Sequence, residues 1–379
     1  MKKDEAASLL GVKESFLKHF KVQDPYNPQW ELEGYINVSE HLYGSMTIFK
    51  INDFLTEQIV IGTPKQKYPF DRLGRFRFPE AKRINVYEKY DGTNILAYGY
   101  KIKKQVFITY KTRLNPVLGQ SRWGNWMEMW DKVKPGLIKG IDELIQSGVN
   151  LSFELYGAMN KHLIEYAVPL DAVLLFGIKN DLANPEIIDP EGLPGFEQKA
   201  RLEVSIEGSH DLYSWYQKLR NEREGLNKFT EEGFIEGGEG FVWYLKDING
   251  KIHQYKCKPP SVEDIHWANS GISKHSILTT IINAYEETDE VTYERVKELL
   301  LEEYTENVID GKKDLIHRLM GEVAGRIAFR EKILKLYHEL GLNLLGDKVG
   351  TMRALSPNFA KQDMRKVFNT LNLEIRPEQ

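Results

Sequence analysis

The chain has 379 residues, 41% of them apolar and 28% charged, with a formal net charge of −4. That balance describes ordinary globular domains with sizeable cores, and it excludes a protein whose overall basic field gathers nucleic acid. A single cysteine, Cys257, excludes an intrachain disulfide and fits a reducing compartment.

The opening Met1-Lys2-Lys3-Asp4-Glu5 leads into no uninterrupted apolar segment. Neither a signal peptide nor a membrane span is expected, and the expected compartment is the cytoplasm. Residues 4–20 carry Leu9, Leu10, Val12, Phe16, Leu17 and Phe20, an irregular stripe that predicts a packed helix. From Glu31 to about Ile61 the chain reads as strand-rich, best at Met46–Ile51 and Gln58–Ile61. Residues 1–65 are expected to form an N-terminal accessory module. The next segment interleaves Lys65, Lys67, Arg72, Arg75 and Arg77 with Tyr68, Phe70, Phe76 and Phe78. It reads either as a grip on a phosphate backbone with bases stacked on the rings, or as a connector whose aromatics tuck into the neighbouring domain.

Arg83–Tyr87 and Ile95–Tyr100 have strand patterns, and Glu88-Lys89-Tyr90-Asp91-Gly92-Thr93-Asn94 stands between them. Asp-Gly favours a tight turn. Lys89 is then either an exposed lysine on a surface hairpin or an amine held at the mouth of a pocket, where it attacks phosphorus or pairs with phosphate. A further strand, Gln105–Tyr110, runs into Lys111-Thr112-Arg113. Trp123, Trp126 and Trp130 fall on one helical face, a spacing that suits core packing better than ligand stacking, and a helix is predicted over 136–146. Val149–Gly157 reads as a strand carrying Glu154 among apolar neighbours, and Ala172–Ile178 as a fully apolar strand. After a loop-rich stretch from Lys179 to about Ser209, a helix over 211–223 puts Leu212, Trp215, Tyr216 and Leu219 on one face. Asn249-Gly250 predicts a hairpin joining Gly240–Leu245 to Ile252–Lys258.

Past Pro259-Pro260 the pattern turns helical. Ser261 reads as an N-cap with Glu263 and Asp264 in its first turn. Helices follow over 293–304, over 315–340 with a break near Gly321 or Gly325, and over 359–371. Residues 311–379 hold thirteen Lys/Arg against eight Asp/Glu, an excess that fits a solvated face as well as a nucleic-acid surface. There is no internal repeat. The expected domains are 1–65, 66–260 and 261–379.

The strand-borne charges form an ordered series of Lys89, Arg113, Glu154, Glu239, Lys256 and Lys258. Unpaired buried charge costs several kcal/mol, and two carboxylates and four cations would compensate each other if they converged on one pocket. Such a pocket suits a nucleoside triphosphate and its divalent metal. Alternation along the last strand puts Lys256 and Lys258 on one face and Cys257 on the other.

This series resembles the covalent nucleotidyltransferases, the superfamily of ATP-dependent DNA and RNA ligases and mRNA capping enzymes. Lys89-Tyr90-Asp91-Gly92 matches the K-x-D-G of motif I. Thr112-Arg113 is similar to motif Ia, Glu154-Leu155-Tyr156-Gly157 to motif III and the strand carrying Phe176 to motif IIIa. Glu239-Gly240-Phe241-Val242 resembles motif IV, and Lys256-Cys257-Lys258 the K-x-K of motif V. Thr93-Asn94 after motif I, and helices in place of a barrel after motif V, resemble the RNA ligases.

The fold class this implies is α+β: a nucleotidyltransferase (ATP-grasp-like ligase) domain of antiparallel sheets flanked by helices, with the N-terminal module and an all-helical C-terminal domain. The function implied is ATP-dependent joining of RNA 5′-phosphate and 3′-hydroxyl ends, as in RNA repair, through AMP attached to Lys89. The resemblance makes Lys89, Lys256 and Lys258 catalytic. It assigns the nucleotide to Glu88, Tyr90, Asn94, Arg113, Glu154, Phe176, Glu239, Lys256 and Lys258, with Phe176 either stacked on adenine or simply core. Mg2+ or Mn2+ falls to Glu239, and cationic neighbours are expected to push the proton off Lys89. A layout similar to the dimeric archaeal RNA ligases brings homodimerisation into view. The competing readings are a DNA ligase, a capping guanylyltransferase, or a non-catalytic RNA-binding protein that keeps the fold.

Overall fold

The structure is a computed structural model, and it describes residues 1–38, 43–64, 66–70, 75–121, 124–160, 162–182, 185–197, 199–207, 211–230, 235–262, 272, 274–288, 290–301, 304 and 306–375. Lys65, Arg72, Trp123, Glu263 and Asp264, singled out above, lie outside them. The chain divides into two compact units, Met1–Ser273 and Lys274–Gln379.

The first helix runs Lys3–Leu10 and stops at Gly11, whose φ of 66° satisfies the last-turn carbonyls of Ala7 and Ser8. The helical stripe expected through residue 20 therefore breaks. Leu17 and Phe20 belong instead to a strand, Leu17–Gln23, paired antiparallel with Glu31–Asn37. Phe20 faces Gly34, where a Cβ would come within 2.6 Å of the Phe20 ring. With Met46–Ile51 and Phe54–Val60 these strands form a four-stranded antiparallel sheet.

Two further sheets follow, one of five strands and one of four, also antiparallel throughout. One has the order Glu186–Ile188, Asp171–Lys179, Val149–Tyr156, Thr93–Ile102, Gln105–Lys111. The other has the order Leu202–Glu207, Ala81–Glu88, Phe241–Asp247, Ile252–Cys257. The Lys89–Gly92 stretch is thus no hairpin: it carries the chain from the second of these sheets to the first. A short parallel pairing of Ile164–Glu165 with Ile235–Glu236 ties the loops beside it.

Both faces of the five-stranded sheet are covered. On one, Trp126 and Trp130 of the helix Trp126–Val133 and Ile141 and Ile145 of Ile138–Gln146 pack on Ile95, Ala97, Leu151 and Phe153. On the other, Tyr98, Tyr100, Phe176 and Ile178 share one core with Leu32, Ile36, Met46 and Ile48 of the N-terminal sheet. The second four-stranded sheet is backed by Leu212, Tyr216 and Leu219 of the helix Leu212–Leu226. Phe70, Phe76 and Phe78 dock on that same layer against Tyr216, Trp243 and Tyr255. Those three rings act as the connector reading expects, each pair favoured by edge-to-face or tilted geometry.

Among the described residues of Lys274–Ile375 the regular elements are all helices, the longest Lys313–Glu339. The expected break at Gly321 or Gly325 is absent. Both glycines face open space, while Ile316, Leu319, Val323 and Ile327 are buried at helical spacing, so the stripe outweighs the glycine propensity cost. Ile333, Tyr337, Leu344, Leu355, Val367 and Leu371 close this unit's core. Among the described residues no helix is long and apolar enough to cross a membrane.

Candidate active site

The backbone brings the charged series together before any side chain does. Phe241 pairs with Glu88 on one side and with Cys257 on the other, and Lys89 N–H donates to the Gly240 carbonyl at 2.9 Å. Residues 89, 239 and 258 therefore leave neighbouring strands at the same level. Gly240, at φ 135°, approaches so closely that a Cβ would meet the Cys257 carbonyl at 2.2 Å. Gly92 has a similar reason to be glycine: a Cβ there would lie 2.1 Å from the Leu155 carbonyl. Close approach to the neighbouring strand, and no left-handed turn, is what its missing side chain serves. Asp91 accepts from the backbone N–H groups of Leu163 and Ile164 at 2.6 and 2.9 Å, which fixes the link to a loop of the same unit.

At the centre stands Glu239, 4% exposed. Lys89 Nζ donates to its Oε2, and Lys258 Nζ pairs with its Oε1 at 2.6 Å. Burial opposes ionisation of this carboxyl, but the Lys258 and Lys89 ammoniums outweigh it and hold the pKa down at about 2. Burial likewise works against the Lys258 ammonium, and the Glu239 charge overcomes it to raise that pKa. The sequence led us to expect cations crowding Lys89. The structure gives it a carboxylate neighbour, Glu239.

Glu154 accepts from Gly92 N–H at 3.1 Å. Burial pushes its pKa up to about 7; the Lys89 charge works against this and the Glu239 charge adds to it. Its folded pKa thus lies above the ordinary value of 4.5, so the native state holds a proton that the unfolded chain releases, and stability falls as pH rises between those values. Glu154→Gln is expected to stabilise the protein by roughly 1–2 kcal/mol at pH 8, allowing for partial solvent contact, and to have little effect at pH 4. Thermal melts at the two pH values read this directly; a mutant-minus-wild-type difference that ignores pH would contradict it.

Arg113 is tied to the turn at Tyr43 and Gly44, and Asn94 to the neighbouring strand Val149–Tyr156. Lys111, 1% exposed, donates through Nζ to the carbonyls of Gly44, Thr112 and Arg113 at 3.1, 2.8 and 3.0 Å. Burial and the nearby Arg113 charge push its pKa down to about 7. The Arg113 guanidinium lies over the Tyr43 ring at 5.7 Å, and its charge reaches Glu154. Asn94 Nδ2 donates to Ser152 Oγ at 2.9 Å, and Ser152 Oγ in turn meets Thr63 Oγ1 at 3.2 Å.

Glu88 lies between Arg201 at 3.3 Å and Arg223 at 3.5 Å. Arg223 is 7% exposed and covers the Phe241 ring at 4.7 Å. The Tyr90 ring packs on Tyr156 at 4.9 Å, and Tyr156 on Tyr166 at 4.8 Å. Tyr166 Oη accepts from Asp91 N–H at 2.8 Å. Lys111, Arg201, Arg223 and Tyr166 were not singled out from the sequence. The signal available was a lysine in a strand for Lys111 and an arginine on the apolar face of a helix for Arg223.

Phe176 is a correction. It is 0% exposed and packed in the shared core near Tyr244, so it offers no ring face to an adenine. Of the two readings left open for it, the structure has the core one. Cys257 is fully buried on the face opposite the lysines, as alternation requires. Lys256 Nζ lies 4.3 Å from the centre of the Tyr68 ring.

Among the described residues no group of three or more His, Cys, Asp or Glu side chains could hold a metal ion. A divalent ion that arrives on phosphates needs only one or two carboxylates from the protein. Glu239, with Glu154 near enough to feel its charge, fits that more modest demand.

No family model matches the chain, and no curated protein matches it. Among solved structures it is similar to an archaeal ATP-dependent RNA ligase, with 13% identity over 89% of this chain and 83% of that one, at a TM-score of 0.46. It is similar also to an RNA ligase of Naegleria gruberi, with 15% identity over 50% of this chain and 53% of the other, at a TM-score of 0.34. A chain from Aquifex aeolicus assigned as an ATP-dependent DNA ligase matches with 12% identity over 92% of this chain and 86% of its own, at 0.41.

Proposed function

We propose that this chain is an ATP-dependent RNA ligase of the covalent nucleotidyltransferase superfamily, with Lys89 as the nucleophile that takes up AMP. The observation that carries the reading is that the Lys89 and Lys258 amines occupy the two oxygens of one buried carboxylate, Glu239. A nucleophilic amine, a cation and a carboxylate drawn from three strands are what transfer of a nucleotidyl group to nitrogen requires.

In the first step the Lys89 nitrogen lone pair forms a bond to the α-phosphorus of ATP. The bond to the bridging oxygen breaks, and pyrophosphate leaves with that electron pair. Lys89 must shed a proton, which passes to solvent water, because Glu239, held near pKa 2, is a poor base for it. Glu239 therefore has to release Lys89 when the nucleotide enters, and Lys258 on its other oxygen keeps the carboxylate compensated meanwhile. Lys256 and Lys258 then meet the α-phosphate, and Arg113, Glu154 and Asn94 the nucleotide. Mg2+ or Mn2+, held by Glu239 through its waters, would offset the phosphate charge. AMP next passes to an RNA 5′-phosphate, and a 3′-hydroxyl displaces it to seal the strand.

Thr93-Asn94 beside the nucleophile and the helical unit at Lys274–Gln379 favour RNA over the DNA ligase and capping readings. The retention of every charged residue in the series favours an enzyme over a binding protein. The test offers 5′-phosphorylated nicked RNA, nicked DNA and single-stranded RNA to the protein with either ATP or GTP. ATP-dependent joining of RNA is the expected outcome. Sealing confined to DNA, or labelling from GTP alone, would replace this reading with one of its neighbours.

A further inference from the structure

Residues 66–70, ahead of the nucleophile strand, lie along the outer edge of the second four-stranded sheet. Lys67 bridges Tyr255 in parallel, and Lys256 N–H donates to the Lys67 carbonyl at 2.9 Å. Phe70 anchors the segment through edge contacts with Phe76 and Tyr216 at 5.7 and 5.5 Å. This placement lays the Tyr68 ring against the Lys256 ammonium, with 4.3 Å from Nζ to the ring centre. Tyr68 is also close enough to Lys258 for its phenol to act on that lysine's charge.

We propose that Tyr68 is a positioning residue of the polyphosphate site: its ring holds the Lys256 amine beside Lys258 so that both meet one incoming phosphate. The inference rests on the reading that these two lysines take the α-phosphate of ATP. A lysine is a compact charge on a flexible four-carbon stem, and it loses much rotamer freedom when it binds. A ring face limits that freedom in advance. The attraction of an ammonium for a ring face is also weaker than for a carboxylate, so phosphate can compete for the amine. Tyr68 accordingly sets how readily the lysine pair accepts a triphosphate, without touching the bond that breaks. It gives one aromatic of the basic segment a task that neither earlier reading of that segment contained.

The test compares Tyr68→Leu with Tyr68→Phe, each alone and on a Lys256→Ala background. Covalent labelling by ATP gives KM and kcat, and calorimetric ATP binding is measured in parallel. Tyr68→Leu is expected to raise KM and weaken ATP binding about tenfold, with kcat within about twofold and the melting temperature unchanged. Tyr68→Phe restores most of the lost affinity, because the ring face remains. On the Lys256→Ala background Tyr68→Leu adds nothing further, since it acts through that lysine. An unchanged KM and affinity in Tyr68→Leu overturns the proposal, as does a full-sized effect in the absence of Lys256. Failure of wild-type protein to label sinks the ligase reading instead, and the change in ATP affinity still reports on Tyr68. Wild-type protein that binds no ATP sinks both.

Discussion

Lys89→Ala protein incubated with α-labelled ATP and a divalent metal carries no label on a denaturing gel, against a clear band for wild type. Loss to background is expected because no second amine stands where Lys89 stands, and the remaining lysine on Glu239 is already paired. The fold should tolerate the change. Removing Lys89 takes away one cation, but Glu239 keeps Lys258 at 2.6 Å, so no carboxylate is left buried alone. The cost should be about 1 kcal/mol, well short of the roughly 3–5 kcal/mol that follows when a buried ion loses all its partners. A circular dichroism melt within a few degrees of wild type shows that the loss is chemical. Label persisting at wild-type level would remove Lys89 from the mechanism.

Glu239→Gln should cost far more stability. It leaves two ammonium groups facing one neutral amide, with repulsion where there was compensation. A loss of roughly 3–5 kcal/mol is expected at neutral pH, lowering the melting temperature by about 10 °C. Labelling should fall at least about 100-fold, the scale on which removing one preorganised electrostatic partner acts. The pH dependence has a definite sign. Glu239's pKa is depressed from 4.5 to about 2, so its stabilisation is complete above the ordinary carboxylate range and disappears as pH falls through the lower value. The gap between wild type and mutant should therefore close on acidification. A gap of constant size from pH 7 to pH 3 would mean that Glu239 stabilises by packing and not by charge.

Much of this site was legible because charge beside an apolar strand is conspicuous. Lys89, Glu239 and Lys258 could be picked out one by one, and alternation alone assigned Cys257 to the opposite face. Asn249-Gly250 marked its hairpin because that dipeptide suits the left-handed backbone the turn adopts, with Gly250 at φ 87°. Asp91-Gly92 looked like the same signal and was not. A local motif reports tight backbone, and it does not say whether the next strand joins the same sheet or another. Phe176 was ambiguous for a related reason: in an unbroken apolar strand nothing in the pattern tells a ligand-facing ring from a core ring. The first helix was overextended because a stripe of spacing three and four survives by chance across Gly11 into a strand. Lys111 and Arg223 were invisible as site residues because each gains its contacts from a segment distant in sequence. Gly44 and Glu88 supply those contacts, and no spacing rule connects them.

The tie between Lys111 and the Gly44 carbonyl makes the first 60 residues part of what holds Arg113, despite their lack of chemistry. Gly44 sits at φ 78°, with the Arg113 carbonyl 2.4 Å from where a Cβ would be. A substitution in that outlying turn would be felt at Arg113, although the two lie far apart along the chain. Exchange of the N-terminal sheet for an unrelated module would take from Lys111 one of the carbonyls it donates to.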